Sequence, residues 1–109
     1  MSRFTEETVQ MAFDRLEADD HATARAAYEF AEKQLKVTLA KAALQANGKT
    51  VGEREATALT SPEYSRALHD FQLIARAYYA ARDKRESASA IIDGWRTQQS
   101  DRRGMGRVG

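Results

Sequence analysis

From Thr5 onward the apolar positions recur with the period of a helix, and no alternating strand pattern competes. Val9, Ala12, Phe13 and Leu16 stand at i, i+3, i+4 and i+7, which gives a short first helix one apolar face. Thr5 is placed to cap that helix, and Glu6 and Glu7 fall in its first turn, where carboxylates meet the positive end of the helix dipole. Asp19 or Asp20 then either caps a second helix or marks a bend in a continuing one. From about His21 to Ala46 the pattern predicts a single helix of roughly 39 Å at 1.5 Å per residue. Two apolar stripes run along it. Tyr28, Ala31, Leu35, Leu39 and Ala42 form one seam, and Phe30, Val37 and Leu44, seven apart, form another. The remainder of one small chain covers one of these faces, so the second seam points to burial between copies of the chain, an oligomer interface at Phe30, Val37 and Leu44.

Asn47 and Gly48 close that helix, with Gly48 suited to the left-handed conformation of a C-terminus. Thr50 with Glu53 three residues on reads as a capping box opening a short helix over Glu53 to Leu59. Ser61, Pro62 and Glu63 supply an N-cap, a first-turn proline and a first-turn acid in succession. The helix they start meets no breaker until Gly94 and is expected to end near Gln98. Its first half carries Tyr64, Leu68, Phe71, Ile74, Ala75 and Tyr78, a stripe that should pack on the second helix as an antiparallel hairpin. The expected fold is all-α, a long antiparallel helical hairpin with a shorter N-terminal helix, oligomerising. Residues 1–98 form one helical domain in this reading, and 99–109, rich in Gly and Arg, form a flexible basic tail.

Composition narrows the functional classes. With 109 residues the chain has room for one modest core and no large catalytic cavity. It has no cysteine, which excludes disulfides, thiolate metal sites and a thiol nucleophile. No apolar run approaches the roughly 20 residues of a membrane helix, and the acidic start is unlike a secretion signal, so a soluble protein of the cytoplasm is expected, with no membrane partner. The net charge of +1 conceals a gradient: residues 1–20 carry −4, residues 21–75 carry +1 and residues 76–109 carry +4. A basic pole in the last third draws an acidic partner or a polyanion; solvated helix faces sorted by chance are the plainer explanation.

Each candidate site competes with a duller account. Gly48-Lys49-Thr50 has the ending of a phosphate-binding loop, but the first glycine of that motif is replaced by Ala43 and a helix precedes it where a strand is needed. His21 and His69 lack partners at metal-binding spacing, and Glu53, Glu55 and Glu63 are explained by capping and solvation. Neither a metal nor any other cofactor is expected, and no nucleophile, base and orienting group come together to suggest an enzyme. The basic residues Arg82, Lys84, Arg85, Arg96, Arg102, Arg103 and Arg107, interspersed with Tyr78, Tyr79 and Trp95, offer cations for phosphates and rings for unstacked bases, the requirements of single-stranded nucleic-acid binding. Trp95 beside Ile91 and Ile92 fits a packing role equally well.

The stretch from Leu35 to Arg103 carries Gly48-Lys49-Thr50, Glu53-Arg54-Glu55-Ala56, Ser61-Pro62-Glu63-Tyr64, Lys84-Arg85-Glu86-Ser87-Ala88 and Ile91-Ile92-Asp93-Gly94-Trp95-Arg96 ahead of a basic end. In this organisation it resembles small helical bacteriophage proteins, and among them the UvsY-like recombination mediators. The resemblance implies an all-helical oligomeric ring that binds single-stranded DNA and helps load a recombinase, with Lys84, Arg85 and Arg96 at the matching basic positions. The compact length and the Gly/Arg end depart from that group. The expected function is therefore non-enzymatic single-stranded DNA binding in phage replication or recombination. The alternatives are a protein-interaction module, such as a phage inhibitor or adaptor of a host protein, and a virion assembly component.

Overall fold

The computed structural model describes residues 4–108, with side chains through 104. It is all-α: α1 spans Glu6–Glu17, α2 Asp20–Gln45, α3 Val51–Leu59 and α4 Pro62–Val108, with no strand among the described residues. The local starts follow the capping chemistry. The Thr8 amide donates to Thr5 Oγ1 at 3.1 Å, the Glu53 amide to Thr50 Oγ1 at 3.1 Å and the Tyr64 amide to Ser61 Oγ at 3.2 Å. Each bond satisfies one of the amides that a helix start leaves without an internal partner. The capping box at Thr50 is displaced by one residue, because the Glu53 carboxylate accepts from the Lys49 amide, at 2.7 Å, rather than from that of Thr50. The α1 and α2 helices are separate: Ala18 is extended, with ψ 146°, and its amide closes α1 on the Asp14 carbonyl at 3.0 Å.

Two expectations are corrected. Gly48 does not take the left-handed conformation, since no described glycine has a positive φ. Its smallness serves close packing instead: a Cβ there would lie 3.1 Å from Arg54 Cγ and 3.1 Å from Glu53 Cβ, at the start of α3. The last helix does not stop at Gln98 but continues to Val108, so residues 99–108 are helical rather than an irregular tail. Ser100 to Arg103 contain no breaker, and glycine costs a helix only about 1 kcal/mol against alanine, too little to end one where no proline follows.

The chain divides into two compact units. One comprises the chain up to His21 together with that from Ala80 onward. In it α1 packs on the second half of α4 through buried Ala12, Ala88 and Ile92, with Phe13, Leu16 and Ile91 partly buried against them. The pairing is antiparallel, since Leu16 meets Arg85 and Phe13 meets Trp95. Two small residues in that buried set let the helix backbones approach closely, and Ile92 supplies the bulk, a burial worth about 1.5–3 kcal/mol.

The second unit spans Ala22–Tyr79 and is the expected hairpin. Tyr28 near the start of α2 stacks on Tyr78 at 4.8 Å between ring centroids and lies 5.5 Å from Phe71. Farther along, Ala31, Leu35 and Thr38 share a groove with Ala67, Phe71 and Ile74. The seam Tyr28, Ala31, Leu35, Leu39, Ala42 is the covered one, each residue of it at least half-buried and Ala31 buried. The other seam is left open: Phe30 is 64% exposed, Val37 44% and Leu44 83%.

Candidate nucleic-acid interface

The basic residues of α4 are sorted by helix geometry onto two edges. With Ala88 buried against α1 and about 100° of rotation per residue, Arg82, Arg85, Arg96 and Arg103 fall about 60–120° to one side of it, and Lys84 and Arg102 about 40° to the other. The expected cluster is therefore two rows flanking the α1 contact, rather than one patch. All six side chains are exposed. The side chain of Arg107 lies outside the described residues.

Their engagements within the chain differ. The Arg85 Nη1 donates to the Leu16 carbonyl at 3.1 Å, satisfying one of the last carbonyls of α1, so it holds the unit together. Arg82 Nε lies 3.8 Å from Glu86 Oε1 in an exposed pair one helical turn apart, a contact worth a few tenths of a kcal/mol at most. Lys84, Arg96, Arg102 and Arg103 make no ion pair among the described residues.

The aromatic residues also divide. Tyr78 and Tyr79, expected to accompany the basic run as base platforms, belong to the hairpin unit instead. Tyr78 stacks on Tyr28, and Tyr79 meets Tyr28 edge-on at 6.0 Å. The physical reason is the 3.6 period, which puts Phe71, Ala75 and Tyr78 on one stripe that α2 covers. The Tyr79 hydroxyl, hydrogen-bonded to Tyr28, raises the Tyr28 phenol above its ordinary 10.0, helped by the charge of a Tyr79 phenolate, desolvation and the Glu32 carboxylate.

Trp95 stays with the cations. Its ring meets Phe13 edge to face, 6.2 Å between centroids at 85°. Both rings border a cavity of about 580 Å³ that Phe4, Gln98, Gln99 and Arg102 also line. Trp95, Gln98, Gln99 and Arg102 stand at i, i+3, i+4 and i+7 in the sequence, so the face they share was readable there. Phe4 and Phe13 were not, because they arrive from the other end of the chain.

No family model matches the chain, and no curated protein and no solved structure is significantly similar to it. No helix among the described residues is long and apolar enough to cross a membrane.

Proposed function

We propose that the protein binds single-stranded DNA without catalysing a reaction, in phage replication or recombination, in the manner of the UvsY-like mediators it resembles in organisation. One observation carries this reading: Lys84, Arg96, Arg102 and Arg103 are exposed and make no ion pair among the described residues, and one of them, Arg102, lines a cavity walled by aromatic rings. Phosphates supply the missing counter-charges, and rings supply a surface for unstacked bases. Copies joined through Phe30, Val37 and Leu44 multiply the phosphate contacts available to one strand. A recombinase or a host protein is the protein partner that this role calls for.

Fluorescence anisotropy of a labelled single-stranded oligonucleotide tests the binding. Four neutralised phosphates give log K a slope of about −2.8 against log salt, so affinity falls about fifty-fold between roughly 50 and 200 mM salt. Absence of binding at the lower salt removes this reading. Light scattering tests the assembly: the native chain has a mass above that of one copy, and Leu44→Asp, which puts a charge into an apolar contact, reduces it to one.

The second reading, an adaptor or inhibitor of a host protein, is favoured by the same open stripe on α2. Three large apolar side chains seven residues apart suit a helix-in-groove contact with a foreign partner. It takes over if the chain is monomeric and indifferent to DNA.

A further inference from the structure

We infer that the cavity framed by Phe4, Phe13, Trp95, Gln98, Gln99 and Arg102 is a pocket for an unstacked nucleobase; this rests on the single-stranded DNA reading and assigns that reading its base contact. The cavity measures about 580 Å³, within the range of small-ligand sites and ample for one base. Three rings, Phe4, Phe13 and Trp95, line it, and Phe13 and Trp95 brace each other edge to face. Trp95 is only half-buried, so part of its surface still faces outward. Two neighbouring amides, Gln98 and Gln99, carry both donors and acceptors and meet the edge of any base.

The charges around the pocket set the side on which the backbone runs. Arg102, exposed and without an ion pair among the described residues, stands at the rim to receive the phosphate. Glu6 also lines the cavity and repels a phosphate, so the backbone runs on the Arg102 side, and the carboxylate accepts from a base that carries an exocyclic amino group. Gly94 makes the wall possible. A Cβ at that position would lie 2.5 Å from Phe4 Cζ, so any larger residue displaces the Phe4 ring.

Two other cavities among the described residues lack this combination. The cleft lined by Thr38, Lys41, Thr57 and Glu63 has no ring, and the groove beside Phe30, Phe71 and Asp70 has rings without a cation. Rings, amides and a cation at one mouth are what a nucleotide requires of a protein, and here they converge from α1, the segment before it and α4.

Trp95 is the only tryptophan in the chain, so tryptophan emission comes from the wall of this cavity. The experiment titrates the full chain at low salt with a dodecamer of deoxycytidine and with an abasic dodecamer of equal charge, reading Trp95 emission and, with end-labelled strands, anisotropy. The pocket predicts that the deoxycytidine strand changes Trp95 emission and binds about tenfold more tightly than the abasic one. It also predicts that Gln98→Ala combined with Gln99→Ala, two helix-compatible changes, narrows that gap without altering abasic binding. If both strands bind equally, or the bases strengthen binding while Trp95 is silent, the pocket is wrong and the DNA reading stands. If neither strand binds, the DNA reading falls and the pocket with it.

Discussion

The two units solve the problem of a thin core by different means. The unit of α1 and the second half of α4 has a small aliphatic centre, Ala12, Ala88 and Ile92, and surrounds it with polar chemistry: an arginine on a helix-end carbonyl, two rows of cations and a cavity with amides at its mouth. The hairpin unit places rings where the first has a branched aliphatic residue, with Tyr28 touching Phe71, Tyr78 and Tyr79, and leaves an apolar stripe uncovered on α2. One helix, α4, serves both. Its first half carries Tyr64, Phe71, Tyr78 and Tyr79, and its second half carries most of its basic residues.

The largest effect that breaks this comparison comes from the smaller centre. Ile92→Asp buries a charge with no partner and should cost about 4 kcal/mol or more, enough to unfold a unit whose buried residues are Val9, Ala12, Ala88 and Ile92. If the hairpin holds itself together through its rings, hydrogen exchange in this variant accelerates across α1 and the end of α4 while amides around Tyr28 and Phe71 keep their protection. Uniform acceleration shows instead that the units unfold as one.

A smaller effect sharpens the same contrast through pH. The raised phenol of Tyr28 means that the folded chain holds this proton more tightly than the unfolded chain does. The resulting stability is present below the ordinary value of 10.0 and is lost as pH rises through the folded value. Denaturation midpoints should therefore fall as pH rises above about 10, and Tyr28→Phe should show a shallower fall than the native chain. Equal falls in the two proteins remove Tyr28 as the cause.

Much of this architecture is legible in residue order because it is local. Thr5, Thr50 and Ser61 cap the helices they precede, and the two stripes of α2 separate into one covered and one open face as their spacing predicts. What residue order does not carry is long-range. Phe13 meets Trp95, Phe4 rests on Gly94 and Arg85 reaches Leu16 across most of the chain, and no spacing rule encodes those partners. The same gap explains the tyrosines. Tyr78 and Tyr79 adjoin the basic run in sequence, yet the pairing of α2 with α4 commits them to the hairpin. Gly48 misled for a related reason, its role being set by the approach of α3 rather than by its own backbone angle.

The central claim is that the cations of α4 without an intramolecular pair neutralise the phosphates of a single strand. Replacing Arg96, Arg102 and Arg103 together by Gln leaves the Arg85 bond to Leu16 in place, so the fold is retained while three of the four available charges go. Measured as log K against log salt for one oligonucleotide, the native slope of about −2.8 per copy should flatten to about −0.7 in this variant. An unchanged slope in a folded variant would contradict the account, because the phosphates would then be met by groups other than these arginines of α4.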